Sequence, residues 1–338
     1  MSNSSRYSTG SCPARVALAG NPSDAHRGAV VATVVPAVAA VVTVSGSHRF
    51  VVVGAGLEYR SLSDVDDHIR SDGAGAAQPL VPATLAALHR YLGARVDPVE
   101  IEVSTTIPRS VGLAGSSAIV LATLRALIAH HHDRSWANRL AGDPSLLAAL
   151  ALAAERDVLG ISAGPQDRVV QSFGATMAMD FAVVDHLDVV GFTAGRYRRL
   201  GAIPGSLFVA YLPGGGNSSG AVHAAVDGND PAVLDAMARS ARQARSAAAA
   251  IDDGDRDALA RAMDATYDLR AGVMDLDPRH TAMIRVARAC GASANFTGSG
   301  GAIVVSAPTT AVDGETRAAL SDQLGCALLE VHPAARPD

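Results

Sequence analysis

The chain has 338 residues, 49% of them hydrophobic, and sets 28 basic against 33 acidic groups for a formal charge of −5. Every basic residue in that total is arginine. The lack of lysine excludes a Walker-type GxxxxGK[ST] loop, a Schiff-base or pyridoxal-phosphate lysine, and the strand lysine of protein kinases.

The apolar content excludes global disorder, and the acidic balance argues against a general nucleic-acid binder. A compact anionic substrate stays possible, held by arginine, backbone N–H groups, histidine or a metal. The length suits two domains or one large one. With aromatics at only 4%, the core must come from Ala, Val and Leu. Cys12, Cys290 and Cys326 are odd in number and widely spaced. They make neither a disulfide framework nor a zinc pattern and fit a reducing, cytoplasmic setting.

In chain order, residues 1–11 are polar and read as a frayed tail without a secretory signal. Residues 15–19 (RVALA) form a short strand. The apolar run 29–44 is shorter than the ~20 residues of a membrane span and contains Pro36. Its valines predict buried strands at 30–35 and 37–44. A strand follows at 50–53, then a polar loop over 61–76. Helical periodicity covers 80–92, a strand 101–105, and Ala/Leu-rich helices 116–130 and 144–158. A third helix starts at the 162–165 turn and stops at Gly174. A strand spans 176–181. The signal weakens over 183–205, where the domain boundary is placed. A strand at 207–212 opens the second half. Helices follow at 232–251, 256–273 and 279–289. Strands at 294–297 and 302–306, a helix and a strand near 327–331 complete an α+β layer sandwich.

Three glycine-rich segments stand out. Gly54 and Gly56 follow a strand, but the third glycine of a dinucleotide fingerprint would fall on Tyr59. A hairpin turn is the better reading. Pro108 to Ala118 (PRSVGLAGSSA) lies between a strand and a long helix. Small residues let backbone approach a ligand, and the helix start aims free N–H groups and a positive dipole end into the loop. The pattern suits a phosphate site without lysine, and equally a plain N-cap. Phe296 to Ala302 (FTGSGGA) is a backbone passing near a ligand, or a flexible hairpin. Glu155 and Asp167 supply one carboxylate each near the phosphate loop, as a metal ligand plus a catalytic group suggests. A solvated helix face and first-turn dipole compensation explain them equally well. His130, His131 and His132 do not share a face and read as an exposed helix end.

Taken together, the segments RVALAGNPSD, TTIPRSVGLAGSSAIV, LGISAGPQDRVVQSFGATMAMDF and GASANFTGSGGAIVV resemble the GHMP kinase superfamily, and within it the glucuronokinase branch. The resemblance implies a two-domain α+β fold. An N-terminal α/β domain, residues 12–190, would carry the phosphate loop. A C-terminal ferredoxin-like sandwich would span residues 205–335. It implies ATP and Mg²⁺ as cofactors and a small sugar or sugar acid as acceptor, phosphorylated at the anomeric hydroxyl. It implies neither a nucleic-acid nor a membrane partner, and a monomer or homodimer. Pro108, Gly112, Leu113, Ala114, Gly115, Ser116 and Ser117 would form the nucleotide loop. Ser117 and Glu155 would hold Mg²⁺. Asp167 would face the acceptor hydroxyl, with Arg15 beside it. Asn21, Asp24, Arg168, Gly298, Ser299 and Gly300 would meet the substrate.

Two departures from the family pattern concern Asn295, where a lysine commonly stands, and the glycine run 213–220, which matches no motif. A carboxylate on the acceptor would fall to Arg27, Arg109 or Arg168. The alternatives are a kinase of another sugar or a cyclitol and a non-catalytic sugar-binding regulator. A nucleotide-dependent oxidoreductase is weakened by Tyr59.

Overall fold

The computed structural model describes residues 7–72, 80–187, 191–214 and 230–331. Strand β1 (Ser8–Ala19) begins inside the segment expected to fray. It pairs antiparallel with β2 (Ala29–Gly46) from Ser8 opposite Val44 to Ala19 opposite Val31. Gly10 explains the ordering: a Cβ there would lie 2.2 Å from the Ala122 carbonyl oxygen, so a helix backbone packs directly on the strand. That helix is α3 (Gly115–His130).

β2 is one strand of 18 residues where two were expected. Pro13 pairs with Ala39 but Ala14 with Val35, so residues 36–38 bulge out of the ladder. Proline has no N–H to give the ladder, and the bulge leaves Pro36 and Ala37 exposed without ending the strand.

On its other edge β2 pairs with β5 (Val99–Thr105) along 40–46 and with β6 (Met177–Leu187) along 29–32. The sheet is extended by β3 (Phe50–Val52), parallel to β5, and β4 (Leu57–Tyr59), antiparallel to β3. The Gly54 and Gly56 segment is the turn of that hairpin, not a nucleotide loop. At the opposite edge β7 (Phe192–Arg199) pairs with β6 inside the stretch of weak signal. Its sequence, FTAGRYRR, buries only Ala194 and Gly195. An edge strand of that kind has no apolar alternation to detect.

The polar stretch expected as a loop contains helix α1 (Leu62–Asp72). Leu62, Val65 and Ile69 recur at helical spacing and are buried. Ser61 and Asp64 exchange capping hydrogen bonds: the Asp64 N–H donates to Ser61 Oγ at 3.2 Å, and the Ser61 hydroxyl to Asp64 Oδ1 at 2.9 Å. Helix α2 (Leu80–Leu92) matches expectation, and α4 (Ser135–Gly142) is additional. His131 follows α3 and is buried rather than exposed; its Nε2 accepts from the Asp97 N–H at 3.2 Å. Helix α5 (Pro144–Ala153) runs into a π turn, Ala154–Val158, and α6 (Gln166–Phe173) ends at Gly174 in the left-handed region.

The second sheet has the order β11-β8-β10-β9, from β8 (Ser206–Tyr211), β9 (Ser293–Phe296), β10 (Ala302–Ala307) and β11 (Ala327–Glu330). All its pairings are antiparallel. Helices α7 (Pro231–Asp253), α8 (Arg256–Ala271) and α9 (Pro278–Ala289) precede β9, and α10 (Thr310–Leu324) precedes β11. The order is ferredoxin-like. Alternation assigns its faces: Leu207, Val209, Ala302 and Val304 join the main core, whereas Phe208, Ala210, Ile303 and Val305 join a second core that includes Met283 and Ile284 of α9. Residues 215–220 of the unmatched glycine run and 332–335 of the expected second domain lie outside the described residues.

Candidate active site

A cleft of about 940 Å³ is lined by residues 107–116, by residues 159–164 and 166–168, and by Arg15, Asn21, Asp24, Gly298 and Ser299. The loop from Pro108 to Gly115 is anchored by Val111 and Leu113, whose side chains are buried. Alternating with these anchors, Ser110, Gly112 and Ala114 take positive φ values of 57°, 74° and 59°. Two of the three are not glycine, a backbone strain that concentrates at functional sites. α3 starts directly after Ala114, so its first N–H groups open on the cleft beside Gly115 and Ser116. That is an anion-binding helix start.

The first and third motifs meet this loop through Arg15. Its Nε donates to Asp167 Oδ1 at 2.5 Å. Its Nη1 donates to the Gly112 carbonyl at 3.0 Å and the Thr297 carbonyl at 2.5 Å. One guanidinium thus joins β1, the phosphate loop, the start of α6 and the loop after β9. The two glycine loops touch: a Cβ on Gly298 would lie 2.6 Å from the Gly112 carbonyl oxygen, and a Cβ on Gly112 would lie 3.0 Å from the Ser299 nitrogen. Small residues are required at both positions.

Asp24 is 5% exposed and faces the same cleft. Its Oδ1 accepts from Gln166 Nε2 at 2.8 Å, while Oδ2 has no hydrogen-bond partner among the described residues. Burial, helped by the negative charge of Asp167, pushes its carboxyl up to about 6. Gly164 makes room for it, since a Cβ there would stand 2.3 Å from Oδ2. Asn21 sits behind, donating to the Phe296 carbonyl at 2.9 Å. Asn295 does not face the cleft as a lysine substitute. It is fully buried, and its Nδ2 donates to the Leu18 carbonyl and to Asn21 Oδ1, holding β9 against the end of β1.

Ser117 and Glu155, expected as the Mg²⁺ pair, are both fully buried, and neither lines the cleft. The Ser117 hydroxyl donates to Gln171 Oε1 at 2.6 Å. Glu155 Oε2 accepts from Arg168 Nε at 2.7 Å, leaving only Oε1 without a partner. Magnesium prefers near-octahedral oxygen ligands and keeps several waters. These two side chains, engaged with an amide and a guanidinium, do not fit such a position as they stand. Among the described residues no group of three His, Cys, Asp or Glu side chains could hold a metal ion.

Of the three arginines weighed for a carboxylate, Arg27 is exposed and outside the cleft lining, with Nε 3.4 Å from the Phe181 carbonyl. Arg168 is engaged with Glu155, and its Nη1 also reaches Asp167 Oδ2 at 3.5 Å. Arg109 is exposed at the cleft rim. Sequence reasoning overlooked Gln166, Gly164, Thr297 and Gln171. Gln166 stands beside Asp167 in GPQDR, a signal available there. Gln171, which also donates to the Pro13 and Ala114 carbonyls, has no signal beyond helical spacing from Asp167.

An amide-rich loop opposed to a paired arginine and carboxylate can position a phosphate chain and an attacking hydroxyl, the two tasks of phosphoryl transfer. The class is therefore a phosphotransferase that works without a Walker lysine. Comparison with known proteins agrees. Residues 79–175 match the GHMP kinases N terminal domain. The chain is 32% identical over 313 residues to "Probable glucuronokinase 2" of Arabidopsis thaliana, covering 87% of this chain and 83% of that protein. It is 29% identical over 312 residues to "Glucuronokinase 1" of the same plant, with the same coverage. Lactococcus lactis galactokinase, solved with galactose, superposes with a TM-score of 0.76 at 14% identity, covering 98% of this chain and 94% of that one. At that identity it speaks for the fold alone. The chain belongs to the GHMP kinase family. No helix among the described residues is long and apolar enough to cross a membrane.

Proposed function

We propose that this protein transfers the γ-phosphoryl group of ATP to the anomeric hydroxyl of glucuronate or a similar sugar acid. The observation that carries the reading is the Arg15–Asp167 pair, 2.5 Å apart in the cleft that the phosphate loop also lines. The 32% likeness to a protein named as a glucuronokinase supports the acceptor. We further propose that residues 12–190 and 205–335 form two domains, the second built on the four-stranded sheet and the first on the other sheet apart from its edge strand β7, which falls between the two ranges.

In this mechanism the amides of Gly112 to Ser116 hold the triphosphate, and Arg15 stabilises charge on the transferred group. Asp167 accepts the acceptor O–H as a hydrogen bond and aims its oxygen at phosphorus. The new P–O bond forms as the bond to the leaving ADP oxygen breaks, and the proton passes to Asp167 late. Because Arg15 sits on Asp167, orientation comes first and proton acceptance second. Asp24 offers Oδ2 to a sugar hydroxyl, and Asn21, Gly298 and Ser299 complete the acceptor side. Mg²⁺ would neutralise charge on the triphosphate; no step here passes through it.

Measuring ADP release with glucuronate, galacturonate, glucose, galactose and inositol tests the acceptor. Turnover with a uronic acid at least about tenfold above the neutral compounds is expected, the size of one charge-assisted contact. Preference for a neutral sugar or cyclitol would replace the uronate reading while leaving the kinase reading intact.

A further inference from the structure

Behind the Gly298 loop lies a buried cation that the mechanism has not used. Arg270, on α8, is 1% exposed. Its Nη1 donates to the Gly298 carbonyl at 2.7 Å, and its guanidinium carbon lies 5.1 Å from the centre of the Phe296 ring. Its Nε and Nη2 have no hydrogen-bond partner among the described residues, and no carboxylate there pairs with it. Burial lowers its pKa to about 10, so it is charged at neutral pH. A buried charge without a counter-ion is destabilising unless something offsets it.

The geometry says what does. The C=O and N–H of one trans peptide point in opposite directions. With the Gly298 oxygen turned to Arg270, the Ser299 N–H points away from it; Gly112 packs on the same peptide, since a Cβ there would lie 3.0 Å from the Ser299 nitrogen. Gly298 and Ser299 both line the cleft. No backbone carbonyl among the described residues accepts from the Ser299 N–H. Arg15 holds the preceding carbonyl, Thr297, in the same way. Two guanidiniums therefore fix consecutive peptides of one loop, and the second adds a charge at the oxygen end of a peptide whose two residues line the cleft.

We propose that Arg270 is a positioning residue that makes the Gly298–Ser299 peptide a receptor for a substrate oxyanion. The oxyanion comes either from the terminal phosphate of the nucleotide or from the acceptor's carboxylate. The nucleotide arm rests only on the kinase reading; the carboxylate arm rests on the uronate reading.

The test compares the full-length wild type with Arg270→Met and Arg270→Lys, each checked by thermal melting. Dissociation constants are measured by calorimetry for AMP, ADP and a non-hydrolysable ATP analogue, and for glucuronate and glucose. For the phosphate source, Arg270→Met weakens the ATP analogue roughly tenfold or more, the effect of one unit charge acting across a single peptide group at roughly 8 Å in an effective dielectric of about 20. AMP changes less than twofold, and Arg270→Lys recovers most of the loss. For the carboxylate source, the nucleotides stay level and glucuronate weakens while glucose does not. Should Arg270→Met fail to fold, Arg270→Gln carries the same prediction with a smaller change of shape. A folded neutral variant that binds every ligand as the wild type does, or weakens all of them equally, overturns the proposal. Failure of the wild type to turn over any uronic acid would end the uronate reading and leave the nucleotide arm standing.

Discussion

Asp24→Asn is the sharpest perturbation this site offers, because it removes a charge and little else. The carboxyl is 5% exposed, one oxygen accepts from Gln166, and the other has no hydrogen-bond partner among the described residues. Burial first and the neighbouring Asp167 second raise it from 3.8 to about 6. That rise of about 2 pH units, at ~1.4 kcal/mol per unit, is a penalty of about 3 kcal/mol on the ionised folded state. The sign follows from proton binding. Between about pH 4 and pH 6 the folded chain holds a proton that the unfolded chain has released. Stability therefore falls as pH rises through that window and levels off above it. Asparagine keeps the oxygen that accepts from Gln166 and cannot ionise. Asp24→Asn should exceed the wild type by up to about 3 kcal/mol at pH 7, with the gain fading towards zero near pH 4. Urea unfolding of both proteins at half-unit steps from pH 4 to pH 8 measures it. A variant no more stable than the wild type at pH 7, or a difference that does not vary with pH, would refute the reasoning.

Asp167→Asn should leave binding of an ATP analogue unchanged and lower turnover by about 10² or more, checked by calorimetry and ADP release. Glu155→Gln removes the nearer counter-ion of the buried Arg168 guanidinium, which then keeps only the longer 3.5 Å contact to Asp167. It should destabilise by ~3–5 kcal/mol in urea unfolding while the magnesium concentration for half-maximal rate stays within about twofold; a large rise in that concentration would restore Glu155 as a metal ligand. Asn295→Lys would bury an ammonium where an amide now bonds Leu18 and Asn21. A loss of ~3 kcal/mol or more is expected, with no gain in nucleotide affinity, by melting and calorimetry.

Much of the site was legible because its motifs are local. PRSVGLAGSSA names a loop and the helix start that follows it, and GPQDR names a carboxylate at a helix start. What could not be read is which distant partners those residues take. Arg15 lies 152 positions from Asp167, and Glu155 neutralises Arg168 rather than standing open to the cleft. The αL conformations of Ser110 and Ala114 carry no compositional signal, since neither is glycine. Asn295 read as a missing charge because its amide partners, Leu18 and Asn21, come from the other end of the chain. The fold shows the same division. Helices with a full apolar stripe, such as α2 and α3, matched closely. Helix α1 was hidden by polar neighbours around three apolar contacts, and β7 by its arginine-rich edge position. The Pro36 bulge reads as a strand end unless the partner strand is known.

The central claim is the transfer of phosphoryl to an anomeric sugar-acid hydroxyl. The measurement that meets it most directly is ³¹P and ¹H NMR of the product formed from ATP and glucuronate. Coupling of the new phosphorus to the anomeric proton, with one ADP released per phosphate transferred, is the predicted result. A phosphate coupled to any other sugar proton, or no phosphorylated uronate from a protein that phosphorylates a neutral sugar or cyclitol, would contradict the account.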